Sequence, residues 1–261
     1  MIPKVIHYCW FGRNPLPLDA KKCIESWRKY MPDYEIKEWN EDNFDVNIIP
    51  YTKEAYEVKK YAFVSDYARF WILYNYGGLY FDTDVEVIKP LDDIVDKGPF
   101  MGCEKEADKR AKGKSTKDIG VASGLSLGVN PGLGLGVNPG LGLYEEILNA
   151  YADFHFLNAD GSLNTKTVVT YTTEILVKYG LKYTNQIQEC AGVLIYPKEY
   201  FCPLDYKTNK LTITNNSYSI HHYKASWHSR SRKLKLAIAR FIGEKPTKFI
   251  IKIKSLFYKK K

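Results

Sequence analysis

No stretch of the 261-residue chain approaches the roughly 20 consecutive apolar residues that a membrane-spanning helix requires, so the expectation is a protein that does not cross a bilayer. The N-terminus runs Met1-Ile2-Pro3-Lys4 directly into Val5-Ile6-His7-Tyr8, without an apolar run of signal length or a cleavage site, which argues against export by a signal peptide. The five cysteines, Cys9, Cys23, Cys103, Cys190 and Cys202, are odd in number and form neither a CxxC pair nor a His/Cys cluster at zinc spacing. They read as reduced thiols of a cytosolic protein.

Disorder is excluded as well: 45% of the residues are hydrophobic and 26% charged, the balance of an ordinary globular chain. The length suits one domain with a short appendage, here residues 1–229 followed by 230–261. The formal charge of +8 is unevenly placed, because residues 230–261 hold 12 Lys/Arg against the single acid Glu244. That segment carries +11 and leaves the body at −3, so a polyanionic partner is expected for the tail alone.

Lys4 to Trp10 reads as a buried strand, ended by Gly12, Asn14, Pro15 and Pro17. A helix is predicted over Leu18–Tyr30, and Tyr34–Trp39 alternates as a strand closed by Asn40, a residue suited to capping a helix. Strand, helix and strand at this spacing open a βαβ unit and favour a parallel α/β sheet. From about Ala55 to Tyr76 one helix is expected, with Phe63, Val64, Tyr67, Phe70, Trp71 and Tyr74 on its apolar face, ending at Gly77-Gly78. Leu79-Tyr80-Phe81 then forms a strand that continues through Asp82-Thr83-Asp84 towards Pro90. An octapeptide is duplicated, Leu127–Gly134 and Leu135–Gly142, too short an array for a solenoid and read as a loop or strand-loop insertion before a helix at Tyr144–Tyr151.

Two aspartates separated by one residue on a strand project from the same face about 7 Å apart. A hard divalent cation, Mn2+ or Mg2+, takes such oxygen ligands and keeps positions open for phosphate. An Asp pair beside a turn is common, so D-x-D alone does not identify a site. The preceding helix adds Asp66 and Arg69 at i and i+3, placed by the pattern opposite the apolar face. They are either a surface ion pair, or a carboxylate for sugar hydroxyls beside a guanidinium that reaches phosphate.

Ser65-Asp66-Tyr67-Ala68-Arg69, followed by Leu73 and by Gly77-Gly78-Leu79-Tyr80-Phe81-Asp82-Thr83-Asp84, forms the pattern SDxxRxxxLxxxGGxYxDxD. It closely resembles the sugar-binding region of the DXD-motif glycosyltransferases, which include capsular polysaccharide synthesis enzymes, yeast initiating mannosyltransferases and, more distantly, the large clostridial glucosylating toxins. Ile2–Gly12 is similar to that family's opening strand, and Ile220–Trp227 to its C-terminal element. The resemblance runs over about residues 2–228, with the duplication as the clearest departure.

It implies a GT-A type nucleotide-sugar-binding fold, with a mixed, mainly parallel sheet flanked by helices, and transfer with retention from a UDP- or GDP-sugar to a glycan or lipid-linked glycan. Carried over, Trp10 looks like the aromatic that stacks on the base, with Tyr8 beside it. Asp66 and Arg69 resemble the sugar contacts, and Asp82 and Asp84 the contacts to cation, ribose or diphosphate. His221 or His222 falls at the late metal-proximal position; adjacent strand residues face opposite ways, so at most one of them is a ligand. Ser226 and Trp227 correspond to the loop that closes over the diphosphate. No nucleophile is assigned.

The tail places Leu234, Ile238 and Phe241 on one side of a first segment, and apolar residues around Ile253 on a second segment beyond Pro246. Such basic amphipathic helices lie on anionic membranes, or pack their apolar stripe on the domain; nucleic acid is not expected as a partner. The reading is therefore an enzyme of bacterial surface-polysaccharide assembly at the inner face of the cytoplasmic membrane. A metal-dependent nucleotide-sugar diphosphatase and a non-catalytic membrane-binding module remain alternatives.

Overall fold

The computed structural model describes residues 1–105, 129–130, 134–206 and 208–224. Their order is β1 (Val5–Cys9), α1 (Leu18–Tyr30), β2 (Glu35–Trp39), α2 (Pro50–Glu57), α3 (Tyr61–Tyr76), β3 (Gly78–Tyr80), β4 (Val85–Val87), α4 (Asp92–Val95), β5 (Phe100–Cys103), β6 (Val129–Asn130), β7 (Leu135–Val137), α5 (Gly142–Ala152), α6 (Val168–Lys178), β8 (Gln188–Cys190), β9 (Val193–Tyr196), α7 (Lys198–Phe201) and β10 (Ser219–His221). Eight strands form one mixed sheet in the order β2-β1-β3-β7-β5-β9-β8, with β6 also pairing β5. As the opening βαβ pattern predicts, β1 runs parallel to β2, and also to β3. β7 enters antiparallel to both β3 and β5, while β5 and β9 are parallel.

Successive strand residues point to opposite faces, and each face is buried under helices. Ile6, Tyr8, Leu79 and Phe81 join Trp27 of α1 in one core, whereas Cys9, Tyr80 and Met101 join Val64, Phe70 and Leu73 of α3 in the other. All five cysteines are buried and unpaired within these layers. Among the described residues, no helix is long and apolar enough to cross a membrane.

Four local expectations are corrected. Asn40 caps no helix: its side chain accepts the Asp42 amide (2.9 Å) and its carbonyl the Phe44 amide (3.0 Å), which makes a turn. The helix expected over Ala55–Tyr76 is two, broken after Glu57. There Lys59 adopts φ 58°, Lys60 N–H donates to Ala55 O (2.8 Å) and Lys59 N–H to Tyr56 O (2.9 Å), the paired bonds of a helix stop that usually carries glycine at this place. The strand through the two aspartates is interrupted as well. β3 ends at Tyr80, Asp82 O accepts the Val85 amide (3.0 Å) across a turn, and β4 leaves the main sheet to pair antiparallel with β10. Finally, Asp66 and Arg69 do not face solvent: only 8% and 3% of their surfaces are exposed.

The α3–β3 connection holds because of glycine. Gly77 (φ 65°) and Gly78 (φ 90°) reverse the chain, and a Cβ on Gly78 would lie 2.7 Å from Val5 O. His7 fastens this turn to the sheet edge: Trp39 Nε1–H donates to His7 Nδ1 (3.0 Å), so His7 Nε2–H donates to Gly77 O (3.1 Å). Burial lowers the His7 imidazole to about 4, which keeps this neutral relay intact at physiological pH.

The second copy of the octapeptide supplies β7, the turn at Pro139-Gly140 and the start of α5, while Val129–Asn130 of the first copy pairs with β5 as β6. Gly136 in β7 is pressed on Phe100, whose Cε1 would be 2.2 Å from an added Cβ; Gly142 meets nothing. Gly136→Ala should therefore cost about 1–3 kcal/mol of unfolding free energy through overpacking, and Gly142→Ala should cost nothing. Urea titration of both variants checks this; equal stability of the two would show that the β7–Phe100 contact is not tight.

Candidate functional site

The parallel strands β1 and β3 end side by side, and the candidate residues follow directly from those ends, the usual place for ligand crevices in α/β sheets. Trp10 continues β1, partly exposed, with its amide bonded to Trp39 O (2.8 Å) and its Nε1–H to Asn14 O (2.6 Å). Tyr8 is buried and donates to Glu38 Oε2 (2.6 Å). Asp82 and Asp84 occupy the turn beyond β3. That turn is clamped from α1, where Trp27 Nε1–H donates to Val85 O (2.8 Å) and Ser26 Oγ accepts the Val87 amide (2.9 Å).

β10 brings in the third side chain. Its antiparallel register on β4 sets His221 opposite Val85, and His221 Nε2 lies 3.2 Å from Asp84 Oδ1. Asp82, Asp84 and His221 each offer one ligand atom, and these atoms lie within 4.8 Å of one another. His222 turns the other way and pairs with Glu86 Oε2 at 2.8 Å, as alternation along a strand requires. Two carboxylates and an imidazole converging from separate elements fit a divalent cation that keeps open positions for phosphate oxygens. Against the opposing effect of burial, the His221 imidazole and the Lys224 amide hold the Asp84 carboxyl down at about 2, and Asp84 in turn raises His221 well above its usual value. Ser226, Trp227 and the tail 230–261 lie outside the described residues.

Arg69 joins this turn to α3. Its NH2 group lies 3.1 Å from Asp66 Oδ1 and 3.3 Å from Asp82 Oδ1, NH1 reaches Asp82 Oδ2 at 3.5 Å, and Nε–H donates to Ser65 O at 2.9 Å. Tyr80 lies beneath the guanidinium and donates its hydroxyl to Asp82 Oδ1 (3.2 Å). Burial raises the Asp66 carboxyl to about 7, opposed by Arg69 and by a hydrogen bond from the Val168 amide at the start of α6. Burial also works against the charge of Arg69, but Asp82, foremost, and Asp66 outweigh it.

Sequence reasoning missed Tyr80, Lys224 and Val168 as partners of these carboxylates. Tyr80 could have been found, since it alternates with Asp82 in the strand pattern. The other two contribute main-chain N–H groups, which no residue type marks. With the guanidinium removed, Asp66 loses its buried counter-charge; Arg69→Met should cost about 3–5 kcal/mol, and Arg69→Lys less, because the charge stays while the planar fork goes. Unfolding in urea measures both, and a loss for Arg69→Met below that of an ordinary surface substitution would contradict this assignment.

Residues 17–101 match the family model described as glycosyltransferase sugar-binding region containing DXD motif. Inositol phosphoceramide mannosyltransferase 1 of Schizosaccharomyces pombe is 30% identical over 111 residues, covering 38% of this chain and 33% of that protein. An uncharacterized glycosyltransferase, L373, of Acanthamoeba polyphaga mimivirus is 34% identical over 111 residues, covering 40% of this chain and 44% of that protein. The chain thus spans less than half the length of either relative. Among solved structures, a glycosyltransferase involved in the glycosylation of the major capsid of PBCV-1 aligns with a TM-score of 0.47 at 12% identity, over 88% of this chain and 97% of that one. The matched segment runs from α1 to the start of β5 and contains Asp66, Arg69, Asp82 and Asp84, and over that segment the chain is similar to the sugar-binding region of DXD-motif glycosyltransferases.

Proposed function

We propose that the chain transfers a sugar, with retention and with the help of a divalent cation, Mn2+ or Mg2+, from a UDP- or GDP-sugar to a glycan or lipid-linked glycan acceptor. The convergence of Asp82, Asp84 and His221 beside the Asp66–Arg69 pair carries this reading. A bound cation at this point supplies Lewis-acid stabilisation and a template for the departing nucleoside diphosphate. Asp82 and Asp84 hold it, with His221 as the third ligand. Asp66, kept in place by Arg69 and the Val168 amide, accepts hydrogen bonds from sugar hydroxyls. Trp10, at the end of β1, offers its face to the base. Retention follows the resemblance of the SDxxR…DxD pattern, and the fission-yeast relative, named for transfer of mannose to a phosphosphingolipid, supports a lipid-linked acceptor.

The setting we propose is bacterial capsular or surface polysaccharide assembly, with residues 230–261 as a peripheral anchor on the inner face of the cytoplasmic membrane and 1–229 as the catalytic domain. The density of basic residues in that segment supports the anchor.

Thermal unfolding with a panel of UDP- and GDP-sugars, with and without Mn2+, tests the site. One donor should stabilise the protein by about 2.7 kcal/mol at a hundred times its Kd, only with the cation, and Asp84→Asn should abolish the effect. A chain that no donor stabilises would favour the non-catalytic reading. Flotation with anionic liposomes tests the anchor: a chain ending at Ser229 should bind at least about tenfold more weakly than the full chain, given about 1 kcal/mol per basic residue at the surface, and equal binding would rule the anchor out.

A further inference from the structure

His221 approaches the candidate cation site without the support that an imidazole ligand usually has. A ligating histidine normally fixes its ring by bonding the other nitrogen to a carboxylate, a carbonyl or a water. Here Nε2 faces Asp84 Oδ1 at 3.2 Å, while Nδ1 is buried and, among the described residues, has no hydrogen-bond partner. The Cys202 thiol lies near enough to favour the charged imidazole, but without the geometry of a hydrogen bond. The outer torsion of a histidine side chain is broad, so the orientation of this ring depends on what packs against it.

Tyr223 is the side chain that does so, with the two ring centroids 4.2 Å apart. It is itself held at both ends. Its hydroxyl lies 2.8 Å from Sγ of Cys202, the fully buried residue that ends α7, and its ring meets Tyr206 at 5.1 Å. Its backbone is left-handed, φ 50°, a conformation that a bulky residue keeps only where its surroundings impose it. The main chain on either side of this reversal closes on Asp84: His222 N–H donates to Asp84 O (2.9 Å) and Lys224 N–H to Asp84 Oδ2 (2.8 Å). Oδ2 is thereby engaged and Oδ1 is left facing His221. One residue braces the imidazole with its ring and, through its backbone, brings a donor to the carboxylate.

We propose that Tyr223, anchored by Cys202, is a positioning residue that holds His221 and Asp84 in ligand geometry before a cation arrives. Such preorganisation by packing takes the place of the missing bond at Nδ1. The inference rests on the reading of Asp82, Asp84 and His221 as cation ligands. A tyrosine that merely filled space beside α7 would, when truncated, lower stability and leave the cation affinity of the folded protein unchanged; a positioning residue lowers that affinity.

The experiment uses the full chain and Mn2+ alone, with free Mn2+ read by electron paramagnetic resonance at a temperature where unfolding curves show each variant folded. Tyr223→Ala should weaken Mn2+ binding about 10–100-fold, the usual effect of losing outer-shell support of a metal ligand. Tyr223→Phe and Cys202→Ala keep the ring and lose only its anchor, so each should weaken binding about threefold. The two combined should do no worse than either alone, because both remove the same contact. Wild-type affinity in Tyr223→Ala would overturn the proposal; should that variant not fold, wild-type affinity in both Tyr223→Phe and Cys202→Ala would overturn it. A wild-type chain that binds no Mn2+ would count against the cation reading only. The His221 imidazole signals in 1H–15N spectra of the metal-free protein then decide the bracing: broadened or doubled signals in Tyr223→Ala, or in Tyr223→Phe if the former is unfolded, support it, and unchanged signals overturn it.

Discussion

The site is organised around one buried cation. Arg69 is enclosed by protein yet reaches two carboxylates and a main-chain carbonyl, so the helix α3, the turn after β3 and the strand residue Tyr80 share a single charged group. Burial pushes the Asp66 carboxyl up, and the guanidinium that it shares with the partly exposed Asp82 opposes that push. This geometry also explains why the helix has no polar face at Asp66. The charged residues are turned inward, and their mutual pairing replaces the solvent that an amphipathic pattern leads one to expect.

The second organising feature is the seam between the two sheets. β3 belongs to the large sheet and β4 to the small one, and Asp82-Thr83-Asp84 is the turn that crosses between them. An uninterrupted strand would direct both carboxylates to one face at a fixed spacing. A turn instead lets Asp82 face Arg69 while Asp84 faces His221, and the ligand atoms still lie within 4.8 Å. Trp27 and Ser26 of α1 bond to Val85 and Val87 of β4 just beyond this turn, so a site that sits on irregular backbone is flanked by anchored helix and sheet.

Much of this was legible from residue types. The βαβ opening, the glycine stop of α3 and the spacing of Asp66, Arg69, Asp82 and Asp84 are all expressed as local patterns, and the structure brings the four together. The break at Lys59 was not legible, because a lysine occupies the left-handed position that glycine normally advertises. Nor was the choice between His221 and His222: a strand face can be named only after its partner is known, and here the partner is β4, more than 130 residues earlier.

By itself the sequence determined an α/β chain, the β1-α1-β2 opening, the glycine stop of α3 and the spacing of the candidate residues Asp66, Arg69, Asp82 and Asp84, because those depend on periodicity, backbone stops and functional groups that neighbours in sequence specify. Tertiary structure alone decided that Asp66 and Arg69 are buried, that the aspartates lie in a turn between sheets, and that His221 rather than His222 meets them. These outcomes follow from which elements pack together, and the pairing of β10 with β4 and of α6 with α3 is set by burial and main-chain hydrogen bonds over long chain separations.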